Sequence, residues 1–219
     1  MSVINLLKQT LFSGSRDLAP LVEVKKVLNV GGNTKDIAIP DFYDGWTHHL
    51  LDIDPTGHPD VLCDARTLPD LPGQAYDSVY CSHNLEHYYS HDVVKVLTGF
   101  HHVLKTDGFV HAAVPDLQAL MKQAVQNNMD IEDVLYVSPA GPIAIKDVIY
   151  GLGTQIERSG VEFFAHKTGF SERSLIAVFK KCGFNTVYSQ LGNLEIKVFA
   201  FKAPPDATLL AELSLPIQP

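Results

Sequence analysis

The chain has 219 residues, 46% of them hydrophobic and 19% charged, which excludes a disordered chain and leaves room for a sizeable core. At roughly 150 residues per domain, one domain with an elaboration is expected. Seventeen basic and twenty-five acidic residues give a net charge of -8, a poor match to nucleic acid or anionic membrane, and neither is an expected partner.

Residues 1–24 read as an N-terminal helical extension, with an amphipathic stretch, Ser13-Gly14-Ser15 and Pro20. The N-terminus lacks the basic-then-apolar layout of a leader. No apolar run approaches the ~18 residues of a membrane span. Val27-Leu28-Asn29-Val30 is a short apolar run ended by Gly31-Gly32, so it reads as a buried strand. Leu50–Ile53, Asp60–Cys63, Asp77–Cys81 and Phe109–Val114 read as four more. Between the fourth and fifth, Val93, Val96, Leu97, Phe100 and Leu104 form one helical face. Ser90 or Asp92 is the expected cap, and Gly108 follows the end. A second helix is expected over Ser171–Cys182, with Ser171 as N-cap and Gly183 as stop. Thr186–Ser189 and Ile196–Phe201 read as a closing hairpin joined through Gly192-Asn193.

Short buried strands alternating with helices predict an α/β fold: a mostly parallel sheet covered on both faces. Ligands of such sheets bind beyond the carboxyl ends of the strands. Here those ends carry Asn29 to Gly32, Asp52, Asp64, Ser82-His83 and Pro115-Asp116. Glycine lets backbone approach a ligand, and a carboxylate can accept both hydroxyls of a ribose. A tight turn at Gly31-Gly32 and a helix cap at Asp52 explain the same residues without a ligand. The spacing also suits NAD, but the GxGxxG fingerprint is absent.

In order, "VLNVGGN", "LLDIDP", "DVLCDARTLP", "AYDSVYCSHNLEHY", "HHVLKTDGFVHAAVPD" and "HKTGFSERSLIAVFKKCGF" resemble the class I S-adenosylmethionine-dependent methyltransferases of the type 11 branch, over residues 24 to 201. The resemblance implies a Rossmann-like seven-stranded sheet with a C-terminal antiparallel hairpin, and S-adenosylmethionine as cofactor. It implies that Gly31 and Gly32 line the methionine part and that Asp52 holds the ribose. It further implies that Ile53 packs on the adenine, while Asp64 and Ala65 meet the adenine edge. Ser82 and His83 would face the sulfonium and the acceptor. The branch's acidic residue in the first motif is Asn29 here, still able to accept from the cofactor's ammonium. Its later glycines fall on Asn33 and Lys35, and Pro40 interrupts the helix expected after that loop.

Of the ten histidines, His83, His87 and His166 are the candidate substrate-side groups. A structural role, bonding backbone around the site, is the other reading of His83 and His87. "HNLEH" at 83–87 also fits HxxEH, in which His83 and His87 would share a helical face and bind zinc with Glu86 nearby. Its place directly after a buried strand argues against that, and no metal ligands are assigned. His48-His49 are read as structural residues preceding the second strand, and His101-His102 as solvent-facing or interfacial. Tyr88-Tyr89 reads as packing or lid surface. Residues 117–165 form either a substrate lid or a plain helical cover within a methyltransferase-like domain spanning 25–219.

The expected activity is therefore methyl transfer from S-adenosylmethionine to a small polar or sugar-like acceptor. The alternative is a binding or regulatory protein that keeps the fold without turnover. A small-molecule acceptor and a second copy in a homodimer are the partners considered. Cys63, Cys81 and Cys182, odd in number and without CxxC spacing, read as reduced thiols and point to the cytoplasm.

Overall fold

Val27 and Leu28 are adjacent in sequence, yet they belong to two different cores. Successive side chains of a strand point to opposite faces, so each short apolar strand feeds a core on both sides of its sheet. The computed structural model describes residues 23–139 and 141–217. The expected helix and turn at 1–20 lie outside the described residues.

In chain order the strands are β1 (Lys26–Val30), β2 (Thr47–Asp52), β3 (Val61–Leu62), β4 (Tyr76–Ser82), β5 (Leu104–Pro115), β6 (Val134–Ser138), β7 (Gly141–Ala144), β8 (Thr186–Gly192) and β9 (Glu195–Phe201). The helices are α1 (Ser90–Val103), α2 (Leu117–Gln126), α3 (Ile145–Tyr150), α4 (Gly153–Ser159), α5 (Glu172–Lys181) and α6 (Ala207–Glu212). Seven strands form one sheet in the order β3-β2-β1-β4-β5-β9-β8, and β6-β7 is a separate hairpin. The first five strands pair in parallel, while β9 runs antiparallel to β5 and β8. This is the expected Rossmann-like sheet with its C-terminal antiparallel hairpin.

On one face, Leu28, Val79, Cys81 and Val110 pack with Val93, Val96, Leu97 and Phe100 of α1 and with Leu175 and Phe179 of α5. On the other, Val27, Phe109, Phe199 and Phe201 pack with Leu210 of α6 and with Leu213 and Leu215. Among the described residues no helix is long and apolar enough to cross a membrane.

Four local expectations need correction. The N-cap of α1 is Tyr89, without a side-chain cap bond, because the Asp92 carboxylate is drawn instead to Arg66 at 3.2 Å and Lys95 at 2.7 Å. Gly108 does not follow that helix directly, because β5 starts at Leu104. The second strand begins at Thr47, so His48 and His49 lie within it rather than before it. The turn of the last hairpin is Asn193-Leu194, with φ of 53° and 60°, and Gly192 is paired with Glu195. Two consecutive left-handed residues match the right-handed twist of the flanking strands.

Between β1 and β2 the described backbone forms no α-helix. Pro40 lacks the amide a helix interior needs, and only Asp41–Tyr43 make a 3-10 turn. Phe42, Tyr43 and Trp46 cover that part of the sheet instead. Their rings lie 5.1 to 5.5 Å from one another, and Phe42 reaches Phe109.

Candidate functional site

Strand order reverses between β1 and β4, where a parallel sheet opens a crevice at its carboxyl end. A cavity of ≈290 Å³ lies there, lined among others by Gly31, Asp52, Ile53, Asp64, His83 and His87. Gly31 has φ +74°, and a Cβ on it would stand 2.1 Å from Asn84 Nδ2. No other residue fits that turn without displacing Asn84. Asp52 ends β2, and its two oxygens accept from the backbone amides of Asn33 and Asp54, each at 2.9 Å. An ionised carboxylate has about four lone-pair sites, so each oxygen keeps capacity for a further donor.

Asp64 caps the 3-10 turn Ala65–Asp70 by accepting from Arg66 N at 2.9 Å. The Arg66 guanidinium grips both Asp64 oxygens and extends to Asp92. Burial acts against the Asp64 charge, but the bonds to Arg66 win and hold its pKa below the usual carboxylate value. Tyr88, Tyr89, Phe163 and Phe164 supply an aromatic wall, and Lys167 Nζ stands 5.7 Å from the Tyr89 ring centre. Asn29, Gly32, Ala65 and Ser82, all expected at the cofactor, are not part of this wall. Asn29 is buried with its amide beneath the loop, 2.2 Å from where a Gly32 Cβ would lie. Ala65 is buried, and Ser82, the last residue of β4, is half-buried.

A second cavity of ≈590 Å³ adjoins the first, and His83 and His87 line both. Its wall also takes Glu86 and His166, Pro115 at the end of β5, Tyr136 and Ile143 of the β6-β7 hairpin, Asp147 and Val148 of α3, and Leu194 and Glu195 of the last hairpin. His83 follows β4 with φ +48°, an uncommon conformation for a non-glycine residue. Its Nε2 is 2.8 Å from Glu195 Oε2, and its Nδ1 is 3.5 Å from Glu86 Oε1. Burial alone would lower the His83 pKa, but the two carboxylates outweigh it and push the pKa up to about 9.

The zinc pattern fails on geometry. Only Leu85–His87 form a 3-10 turn, so His83 and His87 do not share a helical face. His87 and His166 come together instead, edge to face with centroids 4.9 Å apart. His87 Nδ1 is 3.2 Å from Ala165 O, and His166 Nδ1 is 2.9 Å from Val148 O. A carbonyl only accepts, so each Nδ1 donates and each Nε2 is the free ring nitrogen. Burial pushes the His166 pKa down despite the nearby Glu86. Gly151 allows this approach, because a Cβ there would lie 2.2 Å from Phe164 O.

Sequence reasoning missed Arg66, Phe163, Phe164, Asp147 and Glu195. None stands at the carboxyl end of a parallel strand, and no local signal marks them. Glu86 was legible only through HxxEH, which assigned it different partners.

Residues 47–112 match the methyltransferase domain family. No curated protein matches the chain. Among solved structures, a SAM-dependent methyltransferase from Archaeoglobus fulgidus is 15% identical, with a TM-score of 0.51 over 82% of this chain and 86% of that one. A SAM-dependent methyltransferase from Methanosarcina mazei is 16% identical, with a TM-score of 0.52 over 83% and 94%. The 1,6-didemethyltoxoflavin-N1-methyltransferase of Burkholderia thailandensis, solved with its ligand and S-adenosylhomocysteine, is 18% identical, with a TM-score of 0.50 over 83% and 72%. The match to the methyltransferase domain family thus runs from β2 into β5, and the chain shares its fold with these methyltransferases.

Proposed function

We propose that the chain holds S-adenosylmethionine in the smaller cavity and transfers its methyl group to a small polar or sugar-like acceptor in the larger one. The observation that carries this reading is the shared wall: two cavities meet at His83 and His87, beyond the carboxyl end of the sheet. When bound, the cofactor supplies a methyl group already activated on a sulfonium, so the protein's task is mainly positioning.

The donor set fits that cofactor. Asp52 has spare lone pairs for ribose hydroxyls, and Ile53 offers an apolar surface beside it. Asp64 and Arg66, bonded to each other, present polar groups for the adenine edge on the same wall. Gly31 keeps the loop close to the methionine part, and Asn29 supports it from beneath Gly32. The aromatic wall suits a sulfonium, because a ring face attracts a cation.

Acceptor selection falls to the cover. The β6-β7 hairpin and α3 contribute Tyr136, Ile143, Asp147 and Val148 to the larger cavity, while Phe163 and Phe164 close the smaller one. Residues 117–165 therefore act as a substrate lid on the domain. His83, held as a cation between Glu86 and Glu195, orients rather than accepts a proton. A hydroxyl acceptor would lose its proton on the side of Glu86, His87 and His166.

Thermal unfolding with S-adenosylmethionine, S-adenosylhomocysteine and NAD in parallel tests the reading. Either methionine cofactor at about 100 times its dissociation constant should raise the midpoint by roughly 5–11 °C, and NAD should not. No rise with any of the three at millimolar concentration would overturn the site. Label transfer from S-adenosylmethionine to any acceptor would exclude the non-catalytic alternative.

A further inference from the structure

We propose that Glu86, His87 and His166 form a binding site for one divalent transition-metal ion, open to the larger cavity. One candidate ligand atom from each residue lies within 4.8 Å of the others. Ligand atoms around one zinc-class ion sit about 2.0–2.2 Å from it, so side-chain shifts on the order of 1 Å close the set.

Three further observations point to a cation. The Glu86 side chain is 2% exposed, and among the described residues neither carboxylate oxygen has a hydrogen-bond partner. Its ion-pair partner among the described residues, His83 Nδ1, stays 3.5 Å away. A carboxylate so placed is costly to bury, and a bound cation would compensate both oxygens. Second, each imidazole has one ring nitrogen fixed by a backbone carbonyl. The carbonyls of Ala165 and Val148 accept from Nδ1, and metal-binding histidines are held in this way by the hydrogen bond of their second nitrogen. Third, the two segments are fastened together. Lys167 N and Thr168 N both donate to the Glu86 carbonyl, at 2.8 and 3.1 Å, so the ligands are preorganised.

Two imidazoles and one carboxylate suit zinc, iron, cobalt or manganese better than magnesium or calcium, which prefer all-oxygen shells. Three protein ligands leave at least one coordination position open. All three residues line the larger cavity, so that position can take an oxygen or nitrogen of a small molecule. Assigning that molecule as the acceptor rests on the function proposed above; binding of the ion does not.

The full chain, stripped with chelator and dialysed, is titrated with Co²⁺ alone and followed by visible absorption and calorimetry. One equivalent should bind and give ligand-field bands. His166→Ala and Glu86→Gln should each weaken binding by at least about tenfold. His91→Ala, at an exposed position, should not. Near-ultraviolet circular dichroism of each variant checks that it is folded. X-ray absorption of the wild-type chain gives a measure independent of variants: only nitrogen and oxygen neighbours are expected. Binding below one equivalent, sulfur ligation, or unchanged affinity in folded His166→Ala would each overturn the site. Stabilisation by S-adenosylhomocysteine is measured on the same stripped chain, so failure of the cofactor reading is seen separately.

Discussion

His87 and His166 meet edge to face at 4.9 Å although one follows β4 and the other precedes α5. The backbone does the joining. His87 bonds the carbonyl of Ala165, the residue before His166, and His166 bonds Val148 of α3. The end of the sheet, the cover and the approach to α5 are thereby tied at one point, on the boundary between the two cavities. The chemistry proposed for the larger cavity depends on this tie.

Asp52→Ala tests the ribose contact. A hydrogen bond to a charged group contributes about 1.5–3 kcal/mol, so S-adenosylhomocysteine should bind roughly 10- to 100-fold more weakly by calorimetry. Unchanged affinity would remove Asp52 from the cofactor site.

Gly99→Ala tests how tightly α1 is seated. Alanine in a helix interior normally gains about 1 kcal/mol over glycine. Here the new Cβ would stand 2.6 Å from Leu68 Cβ, an atom close to its own backbone and slow to yield. Overpacking of this kind costs about 1–3 kcal/mol, so the net change in urea unfolding should be destabilising or near zero. A more stable variant would show that the Ala65–Asp70 turn moves freely.

His111 makes the fold acid-sensitive. It is 8% exposed, stacks on Phe199 at 4.4 Å and has no partner for Nδ1 among the described residues. Burial, then the Lys197 charge, pulls its pKa from 6.5 to about 4 against a smaller upward pull from Glu195. Between those values the unfolded chain binds the proton and the folded chain does not. Stability therefore falls as pH drops from 6.5 towards 4, by up to about 3 kcal/mol at 1.36 kcal/mol per pKa unit. His111→Phe keeps an aromatic ring and removes the titration. Its chemical stability should fall less steeply across that window than that of the native chain, and parallel curves would refute the assignment.

The five parallel strands, α1, α5 and the closing hairpin were legible because each is a local pattern: a short apolar run with a turn residue after it, or an apolar stripe at helical spacing. The strand ends that carry Gly31, Asp52, Asp64 and His83 were legible for the same reason, since in a parallel sheet the ligand crevice follows from chain direction. The side of that crevice built from elsewhere was not. Phe163, Phe164, Asp147 and Glu195 reach it from α3, the turn before α5 and the last hairpin, and their neighbours in sequence say nothing of that.

The same division holds at the level of single groups. The sequence by itself determined that the chain folds as a doubly covered sheet and where its ligand end lies, because side-chain alternation and glycine placement act over a few residues. Tertiary packing alone decided which polar groups pair. Asp64 goes to Arg66, His83 goes to Glu195, and among the described residues the Glu86 carboxylate is left beside imidazoles without a hydrogen bond. A buried charge takes whatever partner the fold brings within about 3–4 Å, and that distance is set by segments far apart in the chain.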